Sequence, residues 1–95
     1  MPDYYLVELA NGPDYDTSRD RREQAGWDEH AKFMDRLAED GFVFMAGPIG
    51  DGNVLEIVEA DGEEAIRARL AADPWYESVL TIVSIRPWSV WLRRP

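Results

Sequence analysis

A single histidine restricts the chemistry open to this chain. His30 lies in GWDEHAKFMDRLAED, residues 26–40, and imidazole is the side chain that titrates nearest neutral pH. At about 100° per residue, a helix through this stretch gathers Trp27, His30, Met34, Leu37 and Ala38 on one apolar arc. Asp28, Glu29, Lys32 and Asp35 fall mostly outside it. The imidazole is therefore expected to point inward, where each unpartnered ring nitrogen would cost about 1–3 kcal/mol.

The candidate partner is in DPWY, residues 73–76. Asp73 ends a second helical segment, where the macrodipole disfavours an anion. Seven residues after Ile66, it falls on that helix's core-facing side. Two helices lying side by side on a sheet would bring His30 and Asp73 together at one end of the helical layer. A carboxylate on one ring nitrogen orients an imidazole and raises its basicity, which prepares a general base. Plainer readings fit the same residues. A lone inward histidine is often a structural residue with satisfied nitrogens, and Asp73 before Pro74 can cap a short turn. Trp75 and Tyr76 read first as core or interface aromatics.

Other chemistries have less support. With one histidine and no cysteine, a catalytic zinc site would need several carboxylates, and thiol catalysis is absent. DYDTSRD resembles the start of a calcium loop, but Arg19 stands where the glycine belongs and Ala25 where the final glutamate belongs. AGPIGDG lacks the spacing of a dinucleotide or phosphate loop. No cofactor motif is visible, and no metal or cofactor is expected.

The formal charge is −9, from ten Lys plus Arg against nineteen Asp plus Glu. Such a surface repels phosphate backbones and anionic lipid, so neither nucleic acid nor membrane is an expected partner. Arg19, Arg21 and Arg22 are interleaved with acids and form no basic stripe. The first residues have no basic segment followed by an apolar run, and no stretch approaches the roughly 20 residues that span a bilayer. A cytoplasmic protein is expected. Its 95 residues fit one domain, 1–95, with enough apolar side chains for a packed core.

The elements that must position His30 and Asp73 can be read in order. YYLVELA, residues 4–10, is a strand that stops at Asn11-Gly12-Pro13, and a polar loop follows to residue 20. A helix is expected from about Asp20 to Asp40, closed by Gly41. FVFMAGP is a second strand, and GDGN turns into VLEIVEA, a third. EEAIRARLAA is a helix capped by Asp61 and broken at Asp73-Pro74. SVLTIVSIRPWSVWL closes the chain as a long strand. The order βαββαβ predicts an α+β ferredoxin-like sandwich, a four-stranded antiparallel sheet with two helices on one face.

Straight alternation sets Phe42, Phe44 and Ala46 against Val43 and Met45, and Val79, Val83 and Ile85 against Leu80 and Ile82. Both faces are apolar, yet two helices cover only one. Each large apolar side chain left wet forgoes on the order of 1.5–3 kcal/mol, so a homodimer packed sheet to sheet is expected.

GWDEHAKFMDRLAEDGFVFMAGPIGDG followed by EEAIRARLAADPWYESVLTIVSIRPW resembles the YCII-related (YciI-like) family of the dimeric α/β-barrel superfamily. The resemblance covers nearly the whole chain. It is carried by the helix histidine, the AGP after the second strand, the DPW after the second helix and the arginine-proline-aromatic ending. It implies a ferredoxin-like subunit that dimerises through its sheet. It also implies a His–Asp pocket, here His30 and Asp73, with Gly47, Pro48 and Trp75 as substrate-binding positions. Relatives in the wider superfamily include muconolactone isomerase-like and dehydrochlorinase-like enzymes, which suggests cofactor-free proton transfer on a small organic molecule. The alternative is a non-catalytic module that binds a small ligand. The long charged loop NGPDYDTSRDRREQAG departs from the family pattern and sits where it could shape a pocket mouth.

Overall fold

The aromatic and β-branched run after Asp3 forms β1, Tyr4–Asn11, in the computed structural model, which describes residues 2–95. A 3-10 turn at Arg21–Glu23 leads to α1, Trp27–Glu39; β2, Val43–Pro48; β3, Val54–Val58; α2, Glu63–Leu70; and β4, Leu80–Trp88. The strands form one sheet in the order β2-β3-β1-β4, and every neighbouring pair is antiparallel. This is the ferredoxin-like α+β arrangement that the element order predicts.

The core lies between the helices and one face of the sheet. Val7 and Leu9 of β1 and Val58 of β3 meet Leu37 of α1 and Ile66 and Leu70 of α2. The register places Val7 opposite Glu56 and Ile85, so Glu56 shares this inward face with the apolar core. On α1 the buried arc runs through His30 and Leu37, with Phe33 and Met34 packed beside it, while Ala38 is exposed at its edge.

Several boundaries differ from the sequence expectation. Helix α1 begins at Trp27, not near Asp20. The reason is Gln24, whose buried amide accepts the Asp16 N–H at 2.8 Å and donates to the carbonyls of Asp16, Arg19 and Asp20. That network folds residues 16–24 into an ordered loop. Gly26, at φ 82°, then turns the chain into the helix. The helix closes as expected: Gly41, at φ 80°, donates to Ala38 and Phe42 donates to Leu37. These are the paired bonds of a Schellman cap.

Asp61 does not cap α2. Gly62 holds that position without a side-chain bond, and Glu63 and Glu64 supply the first-turn negative charge. The closing strand ends at Trp88, which pairs with Tyr4 at the start of β1, and the expected strand does not continue into residues 89–92. Instead Val90 donates to Asp3 Oδ2 and Arg93 to the Tyr4 hydroxyl.

Straight alternation also fails in β2 and β4. The pairing skips Phe44 between Val43 and Met45, and skips Val83 between Ile82 and Ser84. These bulges turn Phe44, Met45 and Val83 outward, while Ile82 and Ile85 both pack on the core.

Candidate active site

Helix α1 presents His30 inward, and the turn after α2 brings Asp73 to meet it. His30 Nδ1 lies 2.9 Å from Asp73 Oδ1 and 2.8 Å from Oδ2. Both side chains are only 9% exposed, so solvent screens the pair weakly. An ionised carboxylate can only accept, which puts the proton on Nδ1 and the free lone pair on Nε2. Among the described residues, Nε2 has no protein partner. Asp73 Oδ1 also accepts the Trp75 N–H at 2.9 Å, so Asp73 caps its turn as well as holding the imidazole.

The ring is fixed on its face too. Trp75 stacks on His30 with centroids 4.1 Å apart and planes 11° from parallel, and Trp27 closes over both rings. Trp75 is itself held by its indole N–H, which donates to the Ala25 carbonyl at 2.7 Å. A Cβ at Gly26 would stand 3.1 Å from that indole nitrogen, so glycine there serves both the left-handed turn and the close packing. The chain therefore ties the start of α1 to the end of α2 through one aromatic–carboxylate cluster.

His30 faces a cavity of about 430 Å³, within the range of small-molecule sites. Gly47 and Pro48 of β2 are among the residues that line it. Trp75 does not: it is 1% exposed and sits behind His30, where it positions the imidazole instead of contacting the cavity. Arg21 and Arg22 of the 3-10 turn also line the cavity, on the loop that was expected to shape a mouth.

Glu56 of β3 also lines the cavity and was not anticipated. It is 2% exposed, and one carboxyl oxygen, Oε1, has no hydrogen-bond partner. Burial, reinforced by the negative charge of Asp73, pushes its carboxyl up to about 7. A signal existed in VLEIV, where a period of two places Glu56 on the same face as Val54 and Val58. Among the described residues, no group of three or more acidic or histidine side chains is arranged to hold a metal ion.

A family model described as the YCII-related domain matches residues 5–89. No curated protein and no solved structure gives a significant match.

Proposed function

The chain belongs to the YCII-related family, and from that premise we propose that it is a small cofactor-independent enzyme of isomerase or lyase type, working in the cytoplasm. His30 Nε2 moves a proton to or from a small organic molecule in the cavity. Asp73 stabilises the imidazolium that forms, and Trp75 holds the ring in plane. Gly47 and Pro48 form the wall against which the ligand packs. The observation that carries this reading is the buried His30–Asp73 pair, whose Nδ1 is taken by the carboxylate while His30 lines a cavity of ligand size. Structural histidines commonly use both nitrogens within the protein, and this one does not.

A second copy of the chain, covering the outer face of the sheet, completes the proposed assembly. Substrates to screen first are small lactones and enones, with solvent-deuterium incorporation at carbon as the readout. A single general base contributes about 10² to 10⁴ in rate, so His30→Ala should lose at least that range's lower bound. A loss under about tenfold overturns the mechanism and favours the pocket as a binding module only.

A further inference from the structure

Among the described residues, two buried side-chain polar atoms lack a partner, Arg21 Nε and Glu56 Oε1. They are far apart in sequence, yet both residues line the cavity that contains His30. An unpaired buried donor or acceptor costs about 1–3 kcal/mol, and native proteins retain few of them. Two that converge on one cavity mark where a polar ligand would restore the missing bonds. The atoms differ in kind: one is a permanent cationic donor, the other belongs to a carboxyl group.

We propose that the cavity takes a small carboxylate carrying a second oxygen, a keto acid above all, with its carboxylate on Arg21 and its carbonyl oxygen on Glu56. This deepens the acid/base reading given above and rests on it. Arg21 is already aimed by its terminal nitrogen, Nη2, which donates to Asn11 Oδ1 at 2.8 Å and to the Gly52 carbonyl at 3.2 Å. Those bonds leave Nε–H free for an anionic oxygen. Arg22 adds a second cation to the lining. On a chain with a formal charge of −9, two arginines at one cavity are a local reversal of sign that favours an anion.

Glu56 supplies the complementary group. The charged and titratable side chains that share its cavity are His30 from α1 and Arg21 and Arg22 from the 3-10 turn, and Asp73 beyond α2 acts on it through its negative charge. With its carboxyl pushed up to about 7, it keeps a proton in mildly acidic solution and can donate it to a carbonyl oxygen. The proton step then balances without a co-reactant. His30 Nε2 takes a proton from the carbon beside the carbonyl, and that C–H pair becomes the C=C bond of an enol. The C=O π pair moves to oxygen, which takes the Glu56 proton. Return of a proton to carbon and of the hydroxyl proton to Glu56 closes the cycle.

The probes are 4-oxopentanoate, pentanoate, which lacks the carbonyl, and 2-pentanone, which lacks the carboxylate. Binding is read from the His30 imidazole signals, and exchange of the protons beside the carbonyl is followed in deuterium oxide. In the parent, 4-oxopentanoate should bind at least tenfold tighter than either partial probe, a difference of about 1.4 kcal/mol. Arg21→Gln should erase the carboxylate advantage while 2-pentanone binds as in the parent, which shows that the cavity is intact. Glu56→Gln should bind 4-oxopentanoate within about threefold of the parent but lose at least about tenfold in exchange. Failure of either carboxylate to bind, equal affinity for 4-oxopentanoate and 2-pentanone, or parental binding in both Arg21→Gln and Arg21→Lys overturns the assignment. His30→Ala separates the two levels. If exchange survives in it, the acid/base function itself fails. If exchange needs His30 but ignores Arg21 and Glu56, only the keto-acid assignment fails.

Discussion

At the scale of single residues, the histidine and the buried glutamate are held in opposite ways. His30 has a carboxylate at 2.8 Å and an indole stacked at 4.1 Å, so its position is over-determined. Glu56 has an unpaired oxygen, and burial makes its ionised form expensive. The sign of the resulting pH dependence follows directly. An unfolded glutamate releases its proton near 4.5, whereas folded Glu56 keeps it to about 7. Below 4.5 both states are protonated and this residue contributes no slope. Between 4.5 and 7 the folded state binds more protons, so stability falls as pH rises, by on the order of 3 kcal/mol in all. Above 7 the loss is complete. Glu56→Gln removes the charge but keeps the shape, so urea denaturation should show the variant more stable than the parent at pH 8, with the advantage shrinking toward pH 4. Equal slopes for the two proteins across that window would contradict the burial of an ionisable carboxyl. Asp73→Asn tests the other half of the site. Its amide oxygen can still accept the Trp75 N–H, so the turn should hold, while the missing charge should lower His30-dependent exchange by about 10² or more, as measured in deuterium oxide.

At the scale of elements, the site depends on how α1 starts. Gly26 combines a left-handed backbone with close contact to Trp75, and no other residue satisfies both. Gly26→Ala should cost about 1–2 kcal/mol for the left-handed conformation alone. The added methyl also presses on an indole already bonded at 2.7 Å, so Trp75 must shift and tilt the imidazole it supports. Thermal unfolding and tryptophan fluorescence should both change, and an unchanged spectrum would argue against the coupling. The same junction shows what sequence can and cannot reveal. The His30–Asp73 meeting was legible because helical periodicity and the βαββαβ order each fix a face, and together they leave one end of the helical layer for both residues. The helix start was not, because Gln24 acts through hydrogen bonds to a loop eight residues upstream, which leaves no periodic signature. Strand faces were misread past Phe44 and Val83 for a related reason: a bulge adds one residue to the count and reverses the parity of everything beyond it. Glu56 was legible in principle, since parity through Val54 and Val58 is unbroken, but a lone acid in an apolar strand is easily taken for its solvent side.

At the scale of the whole molecule, the bulges have a consequence for assembly. They add Phe44, Met45 and Val83 to an outer face that already carries Leu6, Leu55, Ile57 and Trp88. Phe44, Met45 and Val83 are each 54–56% exposed, unusual for large apolar side chains gathered on one surface. The strand residues on this face bring few charges with them, chiefly Glu8 and Arg86, of opposite sign. A chain with formal charge −9 would resist self-association through most of its surface, so the weakly charged sheet face is where two copies could meet at least electrostatic cost. A stable contact needs on the order of 800 Å² from each partner, so it would have to draw on most of the strands of this face. Sedimentation velocity should therefore find the parent as a dimer at micromolar concentration. The pair Phe44→Lys and Val83→Lys should give a monomer, because identical charges would face one another across the two-fold axis. Neither side chain belongs to the buried core, so circular dichroism and the His30 imidazole signals should be retained. A parent that sediments as a monomer would instead leave this face open to a different partner and remove the reason for its apolar composition.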